Sequence, residues 1–376
     1  MTSIIGTDPN QVPTNADLGT MAYQDYDTYT NQVAVGRKNL LLNSGMRVWQ
    51  RGTPVNTTMY CADRWMIWST NSGVSNRNVN VTQQTGGPIG HNSNYLTAAF
   101  QVVDTGIEKL AWGQKIESHN LRHIKSGQRV TLSFWIKKEQ DLPTDNNMDI
   151  QILYPNSTDS WGSGYLFRND YNIDSTVGTI KFNSLSTDWQ KYTYTFTVGD
   201  TALTRGIAVY WHIGDNNFNL GNTDAIFSFT GAQLEVGNQA TDLEQESYAS
   251  ELAACQRYFE RWQDYSPQSQ DSSGSTSTEV LLGLGLALTS SRVLGRLNWM
   301  TPKRVPPTVS LSNSSQMQTI QTGAWYSATN TPNFRAQLWG CRPDFNHSGS
   351  FLAGGAVEMR FNNDGTNAYL NIDAEL

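Results

Sequence analysis

The feature that most restricts this chain is a period-two alternation that recurs, with no helical pattern between its copies, from Lys38 to about Gly237. Val130, Leu132, Phe134 and Ile136 alternate with Thr131, Ser133, Trp135 and Lys137, and Tyr192, Tyr194, Phe196 and Val198 alternate with threonines. Ile207, Val209, Trp211 and Ile213 repeat the pattern, and Ile150, Ile152 and Tyr154 give a shorter copy. Successive side chains of a strand point to opposite faces, so this alternation marks sheets with one buried face. Gly86-Gly87-Pro88, Ser126-Gly127, Pro143 and Gly199-Asp200 supply the turns. About ten such strands predict an antiparallel, jelly-roll-like β-sandwich over 38–240.

The stretch Gly231–Trp262 ends that pattern and starts another. Its first part reads as a closing strand, with Phe227 and Phe229 upstream, that stops at Gly237. Its second part predicts one amphipathic helix over 241–262. Thr241 or Asp242 suits its N-cap, and Glu244 and Glu246 suit the positive end of its dipole. Tyr248, Leu252, Cys255, Phe259 and Trp262 fall at 4-3-4-3 spacing, an a/d seam of about two heptads. The seam serves equally a helix docked on a neighbouring sheet and a short parallel bundle joining three copies, and spacing leaves both open.

Gln263 to Thr278 is rich in Gln, Ser, Asp and Gly and reads as a linker, 263–278. Beyond it, 279–376 predicts a second, smaller sandwich. Leu282, Leu284, Leu286 and Leu288 alternate with Gly283, Gly285 and Ala287, a strand with one greasy face and one flat face. The flat face predicts close approach by another backbone, such as a symmetry mate. Later strands are expected at Thr308–Ser312, Phe334–Gly340, Phe351–Phe361 and Ala368–Leu376. Residues 1–37 hold too few apolar positions for a core and read as an extended arm held by a partner. The class that emerges is all-β: two antiparallel sandwiches joined by one amphipathic helix, with an N-terminal arm.

Three stretches resemble bacteriophage tail fibre proteins of the marine and cyanobacterial phage type. One is Gly-Ala-Gln-Leu-Glu-Val-Gly, then Ala-Thr, then Ser-Tyr-Ala-Ser-Glu-Leu-Ala-Ala-Cys-Gln-Arg-Tyr-Phe-Glu-Arg, within 231–261. Another is Asn39-Leu-Leu-Leu-Asn-Ser-Gly-Met-Arg-Val-Trp-Gln-Arg-Gly52 with the aromatic run Tyr60, Cys61, Asp63, Arg64, Trp65 and Trp68. The third is Gln11-Val-Pro-Thr-Asn-Ala-Asp-Leu-Gly-Thr-Met-Ala-Tyr-Gln-Asp25. The resemblance implies a virion component of the phage tail, a homotrimer whose residues 1–37 hold tail proteins and which attaches to a host surface glycan or receptor. None of the matching stretches is a catalytic motif. The competing classes are a structural tail component, spacer or collar, and a glycan-degrading tailspike.

Composition bounds the chemistry. The net charge of −7 and the lack of a basic run longer than two residues argue against a nucleic-acid partner. No apolar run approaches the ~18 residues of a membrane span, and Met1–Gln11 lacks the charged and apolar regions of a signal peptide. Charged residues are 16% of the chain, below the roughly 25% of an average soluble protein, and hydroxyls, amides and rings replace them. That surface suits sugars as well as strands. Cys61, Cys255 and Cys341 are too few and too far apart for a disulfide framework or a zinc site; three buried thiols are expected, with one long-range bridge as the alternative.

No cofactor or metal is expected. Gly283-Leu-Gly285 lacks the rest of a dinucleotide fingerprint, and His119 and His123 have no third ligand. Asp159, Asp170, Asp188 and Asp215 fall in predicted turns, where Asp serves the backbone. The chain is therefore read as a non-enzyme. Its candidate glycan contacts are loop aromatics: Trp325, Tyr326, Trp339, Phe345 and His347 in the second sandwich, and Trp161 and Tyr165 in the first. Each has the competing role of sealing the edge of its own sandwich.

Overall fold

The structure, a computed structural model, describes residues 37–376 apart from 53–54, 57–59, 72–73, 76–78, 91–92, 101–106, 140–147, 162–170, 183–184, 214–224, 264–277, 313–316 and 364–368. The arm apart from Arg37, nearly all of the linker and Tyr165 lie outside the described residues. The protein is all-β, and every described ladder is antiparallel. Two compact units form. Residues 46–66 and 80–83 belong to the second unit with 246–376, while 67–79 and 84–245 belong to the first.

The first unit is a sandwich. One sheet orders β5 (Asn94–Phe100), β13 (Ala225–Val236), β7 (Arg129–Lys138) and β11 (Gln190–Thr197). The other orders β10 (Thr179–Phe182), β8 (Met148–Pro155), β12 (Ile207–Ile213), β6 (Ile107–Ile116), β2 (Met66–Asn71) and β3 (Val74–Ser75), with β9 (Tyr171–Ile173) also paired to β8. Alternation places Val130, Leu132, Phe134 and Ile136 of β7 inside, all fully buried. They meet an aromatic core in which Trp112 stacks on Phe227 at 4.1 Å and Trp211 meets Phe134 edge-on at 5.6 Å. Offset and edge contacts of this kind add to the area that the rings bury.

The last strand and the segment after it close this unit through polar side chains. Gln233 and Glu235 are buried, and the Glu235 carboxylate accepts from Thr241 N at 2.8 Å and Thr241 Oγ1 at 2.7 Å. Glu244 accepts from the backbone of Lys38 at 2.9 Å and of Asn39 at 2.7 Å, and the Asn39 amide donates to Ala232 O at 3.0 Å. Thr241 and Glu244 are thus not helix-capping residues. They tie the Asn39 stretch to the Gly-Ala-Gln-Leu-Glu-Val strand.

In the second unit a seven-stranded sheet packs on a three-stranded one. The larger orders β19 (Ala324–Ser327), β18 (Met317–Gln321), β22 (Ala356–Asn363), β15 (Thr278–Thr289), β16 (Arg292–Asn298), β21 (Gly340–Asn346) and β20 (Asn333–Gln337). The smaller orders β14 (Phe259–Gln263), β23 (Tyr369–Asp373) and β17 (Thr308–Leu311). Leu297, Phe345, Met359, Leu370 and Ile372 sit in the core between them. A short ladder of β1 (Val55–Asn56) with β4 (Val79–Thr85) pairs Val55 with Val81.

Two expectations are corrected here. The helix is short: it runs only from Tyr248 to Gln256, with Ser247 as N-cap accepting from Ser250 N at 3.1 Å. Phe259 and Trp262 lie on β14, so no seam joins them to Tyr248, Leu252 and Cys255. Cys255 is buried and Tyr248 is half exposed. The second correction concerns β15. Its flat face turns inward, where a Cβ on Gly283 would come within 3.1 Å of Leu297 and one on Gly285 within 3.2 Å of Val357. Leu284, Leu286 and Leu288 face out, Leu284 at 68% exposure. A register shift between Leu281 and Gly283 changes which side faces the core. The close approach is therefore intramolecular.

Candidate functional site

Residues of 46–66 and of 246–261 that belong to the second unit converge on a buried ionic cluster. Arg51 lies 3.5 Å from Asp63 and 3.4 Å from Glu375, and Arg64 also pairs with Glu375. The guanidinium of Arg51 sits 3.5 Å from the centre of the Phe259 ring, and that of Arg64 sits 3.6 Å from the centre of Tyr258. Gln50 joins the cluster by donating to Asp63 and, at 2.7 Å, to the Phe259 carbonyl. Burial pushes the Asp63 carboxyl up to about 6 against the pull of Arg51, and pushes the Cys61 thiol up to about 12. Asp63 and Arg64 are fully buried, and the side chains of Arg51 and Glu375 are nearly so. The cluster explains why the helix ends early: the rings of Tyr258 and Phe259 take cationic partners some two hundred positions away in sequence and enter β14 instead.

An open groove lies elsewhere in the same unit, made of two adjoining hollows that share Arg296 and Asn298. The first, about 540 Å³, is lined by Arg296, Arg335, Arg342, Gln337 and Trp339 together with backbone of Gly340. The second, about 710 Å³, adds Trp262, Leu284, Met300, Arg261 and Glu260. Trp339 is 69% exposed at the tip of the β20–β21 hairpin. The tip is held firmly. Trp299 N donates to Trp339 O at 3.0 Å, Lys303 N to Leu338 O at 2.7 Å, and the Trp299 indole to Gln337 O at 2.9 Å. Gly340 is required there, because a Cβ would lie 2.2 Å from the Leu297 carbonyl oxygen.

Beneath the second hollow, Glu260 and Lys303 form a buried ion pair at 2.5 Å. Burial lowers the Lys303 ammonium, and Glu260 opposes that shift. Glu260 also accepts from the Trp262 indole, which meets Trp299 edge-on at 6.0 Å. These bonds fix the Trp262 ring at the groove wall.

The remaining candidates divide plainly. Phe345 and His347 are buried, and Tyr326 packs on Phe351 at 4.8 Å beside His347, so these three seal the sandwich and do not reach Trp339. The Arg342–His347 run read as a loop is mostly strand β21. The side chain of Trp325 lies outside the described residues. Trp161 is buried, with its carbonyl bonded by the Tyr171 hydroxyl. Asp159 bonds Ser118 N and Oγ at 2.7 Å each, a turn-holding role. His119 sits on a one-turn helix, Ser118–Leu121, and among the described residues no three His, Cys, Asp or Glu side chains cluster to hold a metal. All three thiols are free and buried. Sequence reasoning missed Trp262 as a groove residue, and missed Arg296, Arg335 and Arg342. A smaller hollow of about 370 Å³ in the first unit, lined by Trp135, Ser133, Lys191 and Asp242, was missed too. Trp135 was legible as the one ring on the polar side of the β7 alternation.

Comparison with known proteins does not identify the chain. No family model matches the chain, and no curated protein matches it. Similar solved structures include the CBM22-1 xylan-binding domain of Paenibacillus barcinonensis Xyn10C, at 12% identity and TM-score 0.28, covering 55% of this chain and 100% of that one. The Stig cyclase Fisc of Fischerella sp. TAU matches at 11% identity and TM-score 0.34, covering 54% of this chain and 99% of that one. The arabinose-bound α-L-arabinofuranosidase MgGH51 matches at 12% identity and TM-score 0.32, covering 53% of this chain and 26% of that one. A binding module, a cyclase and a glycosidase share this degree of likeness, so it bears on neither ligand nor reaction. Among the described residues no helix is long and apolar enough to cross a membrane.

Proposed function

We propose that this chain binds saccharide in the groove between Trp339 and Trp262 without cleaving it, and that it serves as an attachment component of a phage tail. The observation that carries the binding reading is Trp339, an exposed ring on a turn fixed by three hydrogen bonds, beside three guanidiniums in one hollow. A rigid aromatic face takes the apolar side of a sugar ring, and neighbouring Arg, Asn and Gln bond its hydroxyls. Binding without cleavage is supported by Glu260, the carboxylate at the groove: it is buried under Lys303 and is not poised as half of an acid–base pair. The phage assignment rests on the sequence resemblance of the Gly231, Asn39 and Gln11 stretches. The homotrimer, the anchoring role of residues 1–37 and the virion location follow from that resemblance alone.

A glycan array probed with the full chain tests the binding reading. Retention of one or more saccharides by the native chain, lost in Trp339→Ala, is the expected result. Retention unchanged in Trp339→Ala and in Trp262→Ala removes the groove as the site. New reducing ends on incubation with a bound polysaccharide would make the protein an enzyme. For the phage assignment, excess purified chain is expected to block adsorption of the parent phage, and unaffected adsorption at saturation favours a spacer or collar.

A further inference from the structure

The chain is acidic as a whole, with a net charge of −7, yet its first hollow is lined by three arginines and no Asp or Glu. Strand register brings them together. Arg335 on β20 stands directly across from Arg342 on β21, and Arg296 approaches from β16. Like charges directly opposite on adjacent strands destabilise a sheet, so the arrangement works against the fold. The neighbouring carboxylates are engaged elsewhere. Asp344, two residues along β21 from Arg342, is gripped in bidentate fashion by Arg292 at 2.9 and 2.7 Å, and Glu358 pairs with Arg360. Arg296 makes a single weak bond to Asn298 at 3.3 Å, and Arg335 and Arg342 form no ion pair among the described residues. The Asp344 carboxyl is held below its usual range by Arg292 first, with Arg335 and Arg342 adding their field.

We infer that the Arg335–Arg342–Arg296 hollow is an anion subsite and that the groove's ligand is an acidic saccharide, its carboxylate or sulfate on the guanidiniums and its ring on Trp339. This rests on the saccharide-binding reading above and names the ligand class. Guanidinium forks match planar carboxylates and sulfate oxygens bidentately and are less strongly hydrated than ammonium groups. The exposed Trp339 ring beside them supplies the apolar contact that a bare inorganic anion would leave unused. A nucleic acid also offers anions and rings, but its backbone is held by an extended basic track, and the second hollow continues the groove with Leu284, Met300 and Trp262 instead.

Affinity electrophoresis and calorimetry of the full chain against four probes test the inference: oligogalacturonate, dextran sulfate, neutral dextran and a single-stranded oligonucleotide. An acidic chain is repelled by polyanions in general, so retardation by one is informative. The expected result is at least about tenfold tighter binding to oligogalacturonate or dextran sulfate than to neutral dextran, weakening as salt rises. The two acidic probes distinguish carboxylate from sulfate. Arg335→Gln with Arg342→Gln should abolish that preference, with the circular dichroism spectrum unchanged as the control for folding. Trp339→Ala should weaken binding of both neutral and acidic probes. Equal binding of neutral and acidic probes overturns the anion subsite and keeps the saccharide reading. An acidic preference that survives the double substitution moves the subsite elsewhere and overturns the inference. Tightest binding to the oligonucleotide overturns the ligand class. Binding of none overturns both readings.

Discussion

Arginine occupies two contrasting places in the second unit. Arg51 and Arg64 are largely withdrawn from water, each beside a carboxylate and an aromatic ring. Arg296, Arg335 and Arg342 stand exposed around a hollow with an aromatic ring and no carboxylate of their own. A buried guanidinium without a partner is far too costly to persist, so the first pair must be structural. An exposed one is satisfied by water and keeps its charge available to a ligand. The difference separates Arg51 and Arg64, whose charges the fold itself consumes, from Arg296, Arg335 and Arg342, which the proposed ligand would engage.

The sharpest break in that contrast is Arg64→Ala. It leaves Glu375 charged and buried beside one remaining cation, and should cost about 3–5 kcal/mol in denaturant unfolding. Arg342→Ala should move the same measurement by less than about 0.5 kcal/mol. Comparable losses from both would dissolve the distinction.

The next effect is pH dependence from Asp63. Its carboxyl is raised to about 6 from the ordinary 3.8, because burial penalises the charged form. A raised carboxyl binds its proton more tightly in the folded state. Its contribution is fully present below about pH 4 and is lost as pH rises through about 6, at roughly 1.4 kcal/mol for each pH unit crossed between those values. Unfolding free energies of the native chain and Asp63→Asn should therefore diverge over that window, with the native chain losing ground as pH rises. A constant difference would show that Asp63 is ionised normally.

Gly340→Ala should be intermediate. Its Cβ meets the Leu297 carbonyl, so the hairpin must shift, at a cost of about 1–3 kcal/mol, and Trp339 loses its fixed place. Saccharide affinity should fall along with stability. Full affinity in this variant would mean that the turn need not be rigid. The smallest effect is a gain: Arg335→Gln with Arg342→Gln removes the cross-strand repulsion and should raise stability by about 0.2–1 kcal/mol.

How much of this was legible depends on the range of the interactions. Alternation at Val130–Ile136 is local, and it placed strand and core correctly. It cannot say which face of a strand is buried when both are apolar or small. At Leu282–Leu288 a bulge and the bulk of Met359 and Val357 turned Gly283 and Gly285 inward, a result set by a strand far along the chain. The helix failed past Gln256 for a similar reason. The spacing of Cys255, Phe259 and Trp262 fits a heptad, but Arg51 and Arg64 capture Tyr258 and Phe259 from the far end of the sequence. Trp339 was singled out as an exposed ring. Its arginines were not, because Arg335 and Arg342 meet only when the turn is centred on Leu338 and Trp339, and the sequence reading ran that strand through to Gly340. A hairpin reading of Leu338-Trp339-Gly340 would have paired them.

The most direct measurement follows arginine side-chain Nε–H and tryptophan indole resonances of the full chain during titration with oligogalacturonate. The account predicts saturating shifts at Arg296, Arg335, Arg342 and the Trp339 indole, with Arg51 and Arg64 unmoved. Shifts confined to Arg51 and Arg64, or to Trp135 in the first unit, would contradict it.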